Sequence, residues 1–382
     1  MEDIVFLKYL KLKNYRNYKN LDINFKSNIT LITGKNAQGK TNLLEAIQFL
    51  ASLGSIRAKT DNELILWNEN FACISANLEK ATAELDLDIV ISPPKRKTLK
   101  VNGINKNKAS AFVSNLCVVS FSVNDLLLLR GTPEDRRFWL DLAISQIYPA
   151  YIDRLQKYNK IKIQKNNFLK EIKGNLNAPS DLLDVLNLQL AICGSNILYL
   201  RLKFLKEIIN LAQVKHLEIA ENELLTMVYN SKVLDDFNII IDKIPEIEEI
   251  SKIFEQKLQA RKMEEIIRAQ SLVGPHRDDI SFYINNVEAK RFASQGQQRT
   301  IVLSLKLAEL ILIEEKIKEK PLLLLDDVLA ELDDIRQGYL LDAIGTETQT
   351  IITSVDTLQF KKSYLEKVDI LKIKAGEIIT EE

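Results

Sequence analysis

The sequence predicts an α/β fold assembled from two separated stretches of chain, with a helical insertion between them. Three observations predict it. A strand-like run at 28–33 enters a glycine-bearing loop and then a helical stretch at 42–53. A block from about 125 to 270 loses nearly all its glycine and turns helical. After it, the apolar run 322–325 ends in two aspartates, as a buried parallel strand does when it delivers carboxylates at its C-terminal edge.

Taken in order, residues 5–13 and 21–33 alternate apolar and polar positions, the period of a half-buried strand. The helix at 42–53 carries Leu43, Leu44, Ile47 and Leu50 on one face and stops near Gly54. Residues 71–103 return to period two, broken by Pro93-Pro94 and by the turn signal Asn102-Gly103. A strand at 116–122 closes the N-terminal half. Pro179 and Pro245 divide the insertion into three or four helices, too interrupted for a long coiled coil. A strand at 279–284, a loop at 293–298, a helix at about 297–316 and strands at 321–325 and 350–353 complete the chain. The expected organisation is residues 1–130 as the N-terminal half of the α/β unit, 131–270 as a helical lid or arm, and 271–382 as the C-terminal half.

Composition removes several function classes. With 52 Lys+Arg against 52 Asp+Glu the net charge is zero, so only a local patch can argue for nucleic acid. Hydrophobic residues make up 46% with 12 Gly and 8 Pro, which excludes disordered and low-complexity readings. Three cysteines, Cys73, Cys117 and Cys193, are too few for a disulfide framework and too far apart for zinc. Two histidines, His216 and His276, leave little room for histidine-centred catalysis. The N-terminal MEDIVFLKYLKLKNYRN interleaves charge with apolar residues and is not a signal peptide. No uninterrupted apolar run approaches the roughly 20 residues of a bilayer span. The expectation is a cytoplasmic protein with no membrane partner.

The chemistry concentrates in Gly34-Lys35-Asn36-Ala37-Gln38-Gly39-Lys40-Thr41, which matches G-x-x-x-x-G-K-[ST] without departure. Glycines let backbone amides curl around phosphate oxygens, Lys40 neutralises the β/γ charge, and the Thr41 hydroxyl reaches Mg²⁺. The helix that follows points its positive end at the same anion. Chance supplies such a match about 0.005 times in a chain of this composition. ATP with Mg²⁺ is the implied cofactor set. Asp326 and Asp327, at the end of the leucine strand, read as the metal-holding carboxylate and the residue that orients or deprotonates the attacking water. Alone they are equally an acidic turn after a core strand; a phosphate loop in the same chain tips the balance. Asp327 is one carbon shorter than a glutamate base, so slow hydrolysis is expected. Ser294-Gln295-Gly296-Gln297 combines a hydroxyl, a bare backbone amide and a helix start, which suit a phosphate but equally describe an ordinary capped helix.

Together these motifs, with Glu331-Leu332-Asp333 behind them, resemble an ABC-type ATPase head of the SMC group. The wording of GKNAQGKTNLLEAI (34–47), RGTPEDRRFWLD (130–141), LVGPHRDD (272–279), SQGQQRT (294–300) and LLLLDDVLAELD (322–333) is similar to the RecF family of bacterial recombination mediators. The likeness runs along essentially the whole chain in the same order. It implies an SMC/RecF-like head built from both halves of the sequence. It also implies an ATP-dependent homodimer in which Ser294, Gly296 and Gln297 of one subunit complete the site at Lys40 of the other, and Asp333 faces across as the D-loop aspartate. By the same resemblance the partners are RecR, with RecO and the RecA pathway. The DNA is single-stranded, gapped or junction duplex, and the setting is gap repair, replication restart and the SOS response. Ala330 in the D-loop, the absence of histidine in Thr353-Ser354-Val355-Asp356, and the lack of a Q-loop glutamine near 121–125 imply a weak ATPase that times a clamp.

For DNA itself the sequence offers a basic run, 154–173, holding seven Lys/Arg against Glu171, preceded by Arg130, Arg136 and Arg137. Most lysines in such a run lie on a solvated helical face. Arg57 and His276 are weaker candidates for a nucleotide or DNA contact. The alternatives are the ATP-binding subunit of an ABC transporter, which brings a Q-loop and a switch histidine, and a small-molecule kinase, which lacks the signature helix.

Overall fold

Leucine at four consecutive positions suits a strand buried on both faces, and Leu322–Asp326 lies inside a six-stranded sheet, flanked by Val118–Ser122 and Thr350–Ser354. The structure, a computed structural model, describes residues 3–81, 83–173, 181–238, 243–344, 347–358, 360, 365–366 and 368–379. The chain divides into two compact units, Met1–Leu126 with Val302–Glu382, and Leu127–Ile301.

In the first unit the strand order is Glu377–Ile379, Asp369–Lys374, Ile29–Thr33, Thr350–Ser354, Leu322–Asp326, Val118–Ser122. All neighbours pair in parallel except the outermost hairpin, Asp369–Lys374 with Glu377–Ile379. The register sets Ser122 beside Asp326, Asp326 beside Thr353, and Ser354 beside Thr33, so four carboxyl ends converge on one edge. That edge is where ligands bind in open parallel sheets. A second, antiparallel sheet holds Tyr18–Asn24, Phe6–Tyr15, Ala72–Lys80, Ala83–Ile91, Thr98–Val101 and Ile104–Asn105. Asn102 and Gly103, both at positive φ, make the expected two-residue turn.

The single strand expected at 21–33 is two. Within Tyr18–Asn24, residues 21–24 alternate buried and exposed positions on the antiparallel sheet, whereas residues 30–33 are buried without a break inside the parallel one. Period two suits the first environment and continuous burial the second.

The second unit contains the helices Pro133–Ile147, Ala150–Glu171, Asp181–Ile219 and Ile247–Arg268. It is not wholly helical. Leu225–Ser231 forms a hairpin with Asp235–Asn238 and pairs along its other edge with Asp279–Ile284. A two-stranded hairpin is marginal by itself; the third strand completes it and carries the chain up to Ile301 into this unit. The helical segment expected to end at 270 is therefore part of a longer α+β unit, and the Ser294–Gln297 loop belongs to it. Pro179 lies outside the described residues, and Pro245 precedes the Ile247–Arg268 helix.

The Asp181–Ile219 helix is long and apolar enough, by length and composition, to cross a membrane, but half of its most apolar stretch is buried in the fold. It also carries the fully buried Arg201, whose guanidinium holds both oxygens of Asp141 at 2.9 Å and donates to the Pro275 carbonyl at 2.7 Å. Arg201 also donates to the Tyr229 hydroxyl at 3.2 Å. A buried guanidinium requires this degree of pairing.

Candidate nucleotide-binding site

The loop Gly34–Thr41 joins the buried strand Ile29–Thr33 to the helix Lys40–Ser52. Gly39 sits at φ +115°, and a Cβ there would lie 2.6 Å from Asn17 Nδ2 and 2.7 Å from Tyr18 Oη. A Cβ on Gly34 would meet the Ile373 carbonyl oxygen at 2.4 Å. Both glycines are thus required by close approach as well as by φ. Tyr18 Oη donates to the Gly39 carbonyl at 2.8 Å, and Asn17 Nδ2 to the Gln38 carbonyl at 3.2 Å. From the C-terminal hairpin turn, the Gly376 N–H also donates to the Gln38 carbonyl, at 3.2 Å, and the Ala375 N–H to Gln38 Oε1. The loop is held open from two sides by groups that the motif itself does not contain.

No side chain caps the Lys40–Ser52 helix, so its first amides point into the loop without an internal acceptor. Lys40, almost fully buried, donates to the Gly34 carbonyl at 2.7 Å and stands 3.8 Å from Asp327 Oδ2. Thr41 Oγ1 donates to Asp326 Oδ1 at 3.0 Å, and Thr353 Oγ1 donates to the same oxygen at 2.9 Å. Thr353 Oγ1 also accepts the Asp327 N–H at 3.0 Å, fixing Asp327 in the left-handed conformation at φ 52°. Burial pushes the Asp326 carboxyl above the ordinary carboxylate range, and the bonds from Thr353 and Thr41 offset this only in part. A hydroxyl and a carboxylate side by side, with a buried lysine one residue away, are a hard-oxygen donor set that fits Mg²⁺ beside a triphosphate.

The structure therefore brings together Gly34, Lys35, Asn36, Ala37, Gln38, Gly39, Lys40, Thr41, Asp326 and Asp327. Thr353, the first residue of the switch segment 353–356, acts here through its hydroxyl, a role that the missing histidine of that segment does not announce. Asn17 and Tyr18 gave no signal, being remote in sequence. In the segment 121–125, which has no Q-loop glutamine, Asp125 accepts the Ser122 N–H at 2.6 Å. Burial raises its pKa to about 6, with buried Lys306, itself paired to Glu309 at 2.6 Å, opposing that rise.

The signature residues lie in the second unit. Ser294 Oγ accepts the Gln297 N–H at 3.2 Å while Gln297 Oε1 accepts the Ser294 N–H at 2.8 Å, a reciprocal cap at the start of Gln295–Ile317. Gln297 Nε2 donates to Glu223 at 2.8 Å. Gln297 is thus engaged within its own unit, whereas Ser294 and Gln295 face solvent and Gly296 is half-buried. Asp333 caps the helix Asp334–Ile344, accepting the Arg336 N–H at 2.9 Å and pairing with the Arg336 guanidinium.

Several basic residues have structural employment. Arg136, buried, grips Asp279 through two bonds of 2.6 and 3.0 Å. Arg137 donates to the Asp278 carbonyl at 2.7 Å, and Arg130 to Gln298 at 2.6 Å. In the 154–173 run Lys165 is fully buried against Glu265, while Arg154, Lys157, Lys160, Lys170 and Lys173 face solvent. His276 Nδ1 meets the Tyr158 hydroxyl at 2.7 Å. Arg57 donates to Asn42 Oδ1 at 2.9 Å, one turn from the phosphate loop.

Comparison with known proteins gives a consistent result. A family model described as the RecF/RecN/SMC N terminal domain matches residues 6–378. The chain is 40% identical over 375 residues, 98% of either chain, to the DNA replication and repair protein RecF of Bacillus thuringiensis (strain Al Hakam), and equally so to that of Bacillus cereus (strain B4264). Among solved structures, a recombination mediator RecF with ATP in the RecFOR pathway superposes with a TM-score of 0.88 at 32% identity, covering 99% of this chain and 98% of that one. An Smc head domain from Pyrococcus furiosus, at 15% identity, 98% and 96% coverage and a TM-score of 0.51, shares the fold.

Proposed function

The chain belongs to the RecF family and has its ABC-type, SMC-like fold, and from that premise we propose that it is an ATP-dependent DNA-binding clamp of replication and recombinational repair. The observation that carries this is the assembled edge: Thr41 bonded to Asp326 at 3.0 Å and Lys40 standing 3.8 Å from Asp327, with uncapped helix amides aimed at the loop.

When bound, ATP with Mg²⁺ supplies a triphosphate and a hard cation. Loop amides and Lys40 would bind the phosphates, Thr41 and Asp326 would hold the cation, and Asp327, positioned by Thr353, would orient the water. With neither a histidine in 353–356 nor a glutamate at 327, hydrolysis is slow. A single protomer's loop would leave part of the γ-phosphate charge for other donors to cover. The helix start at Ser294–Gly296 of a second copy supplies the missing donors, so ATP acts as the adhesive of a homodimer. The dimer closes on single-stranded gaps or duplex junctions, acts with RecR and RecO in loading RecA, supports the SOS response, and opens on hydrolysis. The compartment is the cytoplasm.

Sedimentation of wild type and Lys40→Ala with ATP, with and without gapped DNA, tests this. ATP should drive wild type to a dimer retained on DNA and leave the variant monomeric. A wild-type protein that stays monomeric and releases DNA in saturating ATP refutes the reading.

A further inference from the structure

Two motifs singled out in the sequence, 130–141 and 272–279, are not consumed by nucleotide chemistry. In the second unit they face each other across a cavity of about 310 Å³ lined by Glu134, Arg137, Asp141, Lys162, Arg201 and His276, among others. The charges do not balance. Arg201 and Asp141 neutralise each other through two bonds of 2.9 Å. Tyr158 donates to His276, burial holds that imidazole neutral, and it adds no charge. What remains is Arg137 and Lys162 against Glu134 alone. Among the described residues Arg137 bonds a backbone carbonyl, that of Asp278, and Lys162 bonds Asn159 Oδ1, at 2.7 and 3.0 Å.

We propose that this cavity is a phosphate-group site, with Arg137 and Lys162 as the anion-holding side chains and a DNA phosphodiester as the occupant. A phosphodiester carries one negative charge, matching the one cation in excess. A partly buried pair of cations sharing the single unpaired carboxylate Glu134 is costly unless a further anion joins them. The neighbours report that cost: burial, then Arg137 and Arg277, depress the Lys162 ammonium against the opposing pull of Glu134, and burial, then Arg201, depress Arg137 against Asp141, Asp279 and Glu134. Planar guanidinium and flexible ammonium together are the usual equipment for backbone phosphate. The choice of DNA as the source rests on the proposed function; the phosphate chemistry does not.

The test uses full-length protein saturated with ATP, so that the nucleotide site is filled. DNA affinity is read across a salt series for wild type, Lys162→Gln and Glu134→Gln, and melting is read in inorganic phosphate against chloride at equal ionic strength. Glu134 is exposed, so its variant folds and should bind DNA more tightly. Lys162→Gln should weaken binding about threefold to tenfold and flatten the log–log salt slope by about 0.9, the loss of one phosphate contact. If wild type binds no DNA, the clamp reading fails, and the site then stands on stabilisation by inorganic phosphate that Lys162→Gln abolishes. That same stabilisation with unaltered DNA affinity assigns the site to free phosphate. Unchanged affinity and slope in both variants, with no Lys162-dependent stabilisation by phosphate, overturns the proposal.

Discussion

Lys165 and Glu265 meet at 2.6 Å with both side chains fully buried, joining the helices Ala150–Glu171 and Ile247–Arg268 inside the second unit. Burial pulls the Lys165 ammonium below its ordinary value, and only the carboxylate of Glu265 opposes it. Glu265 Oε1 also accepts the Leu272 N–H at 2.7 Å. Removing one partner strands a buried charge, a loss of about 3–5 kcal/mol. Lys165→Met should therefore shift the denaturation midpoint strongly downward. Lys165→Met with Glu265→Gln, which removes both charges yet keeps an acceptor for Leu272, should recover most of that loss. DNA affinity that falls in the single variant without any loss of stability would instead mark Lys165 as a DNA contact.

That pair also shows where sequence reading stops. Gly34–Thr41 and Asp326-Asp327 are legible from spacing alone, because both are local patterns whose chemistry depends on neighbours along the chain, and the fold joins them through Thr41 and Asp326. A lysine in a basic helix is different: whether it meets solvent or Glu265, a hundred residues on, is decided by packing. The same holds for Arg136, whose partner Asp279 becomes its neighbour only when Asp279–Ile284 pairs with Leu225–Ser231. The hairpin itself was missed because Leu225–Ser231 is a single short strand between long helices, where periodicity carries little weight. The resemblance marks 353–356 as the switch segment, but the role of the Thr353 hydroxyl is unreadable until the register puts it beside Asp326.

Gly39 tests the phosphate loop independently of charge. An alanine there pays for a positive φ and drives its Cβ against Asn17 and the Tyr18 hydroxyl, the groups that hold the loop open. Gly39→Ala should lose more than about tenfold in ATP affinity, roughly 1.4 kcal/mol or more, measured with a fluorescent nucleotide. Tyr18→Phe keeps the ring and deletes one bond to the Gly39 carbonyl, so it should lose less.

Thr353 should separate binding from hydrolysis. Its hydroxyl reaches Asp326 Oδ1 and accepts the Asp327 N–H, but no part of the phosphate loop. Thr353→Val leaves that N–H unpaired at a cost of about 1–3 kcal/mol and frees Asp327 from its fixed turn. Steady-state ATPase should fall about tenfold or more with ATP affinity nearly intact, and Thr353→Ser should restore it. Equal losses in binding and turnover would show that the hydroxyl only supports the fold.

His276 gives the second unit a defined acid sensitivity. Burial is the main cause that lowers its pKa from 6.5 to about 3, with Lys162 adding to the effect. The folded value lies below the unfolded one, so the unfolded chain takes up the proton first. The stabilisation is therefore complete above pH 6.5 and is lost progressively as pH falls towards 3. Asp278, raised to about 6 chiefly by burial, works the other way: its contribution is present at low pH and lost as pH rises through 6. The two partly cancel between pH 4 and 6, so wild type alone is a poor witness. The difference between wild type and His276→Gln isolates the histidine, because Asp278 is common to both. That difference should be largest at pH 7 and shrink steadily on acidification, as read from denaturation midpoints at matched ionic strength. A constant difference across the range would mean that His276 is solvated enough to titrate normally, and that the hydroxyl of Tyr158 contributes packing and nothing to its protonation state.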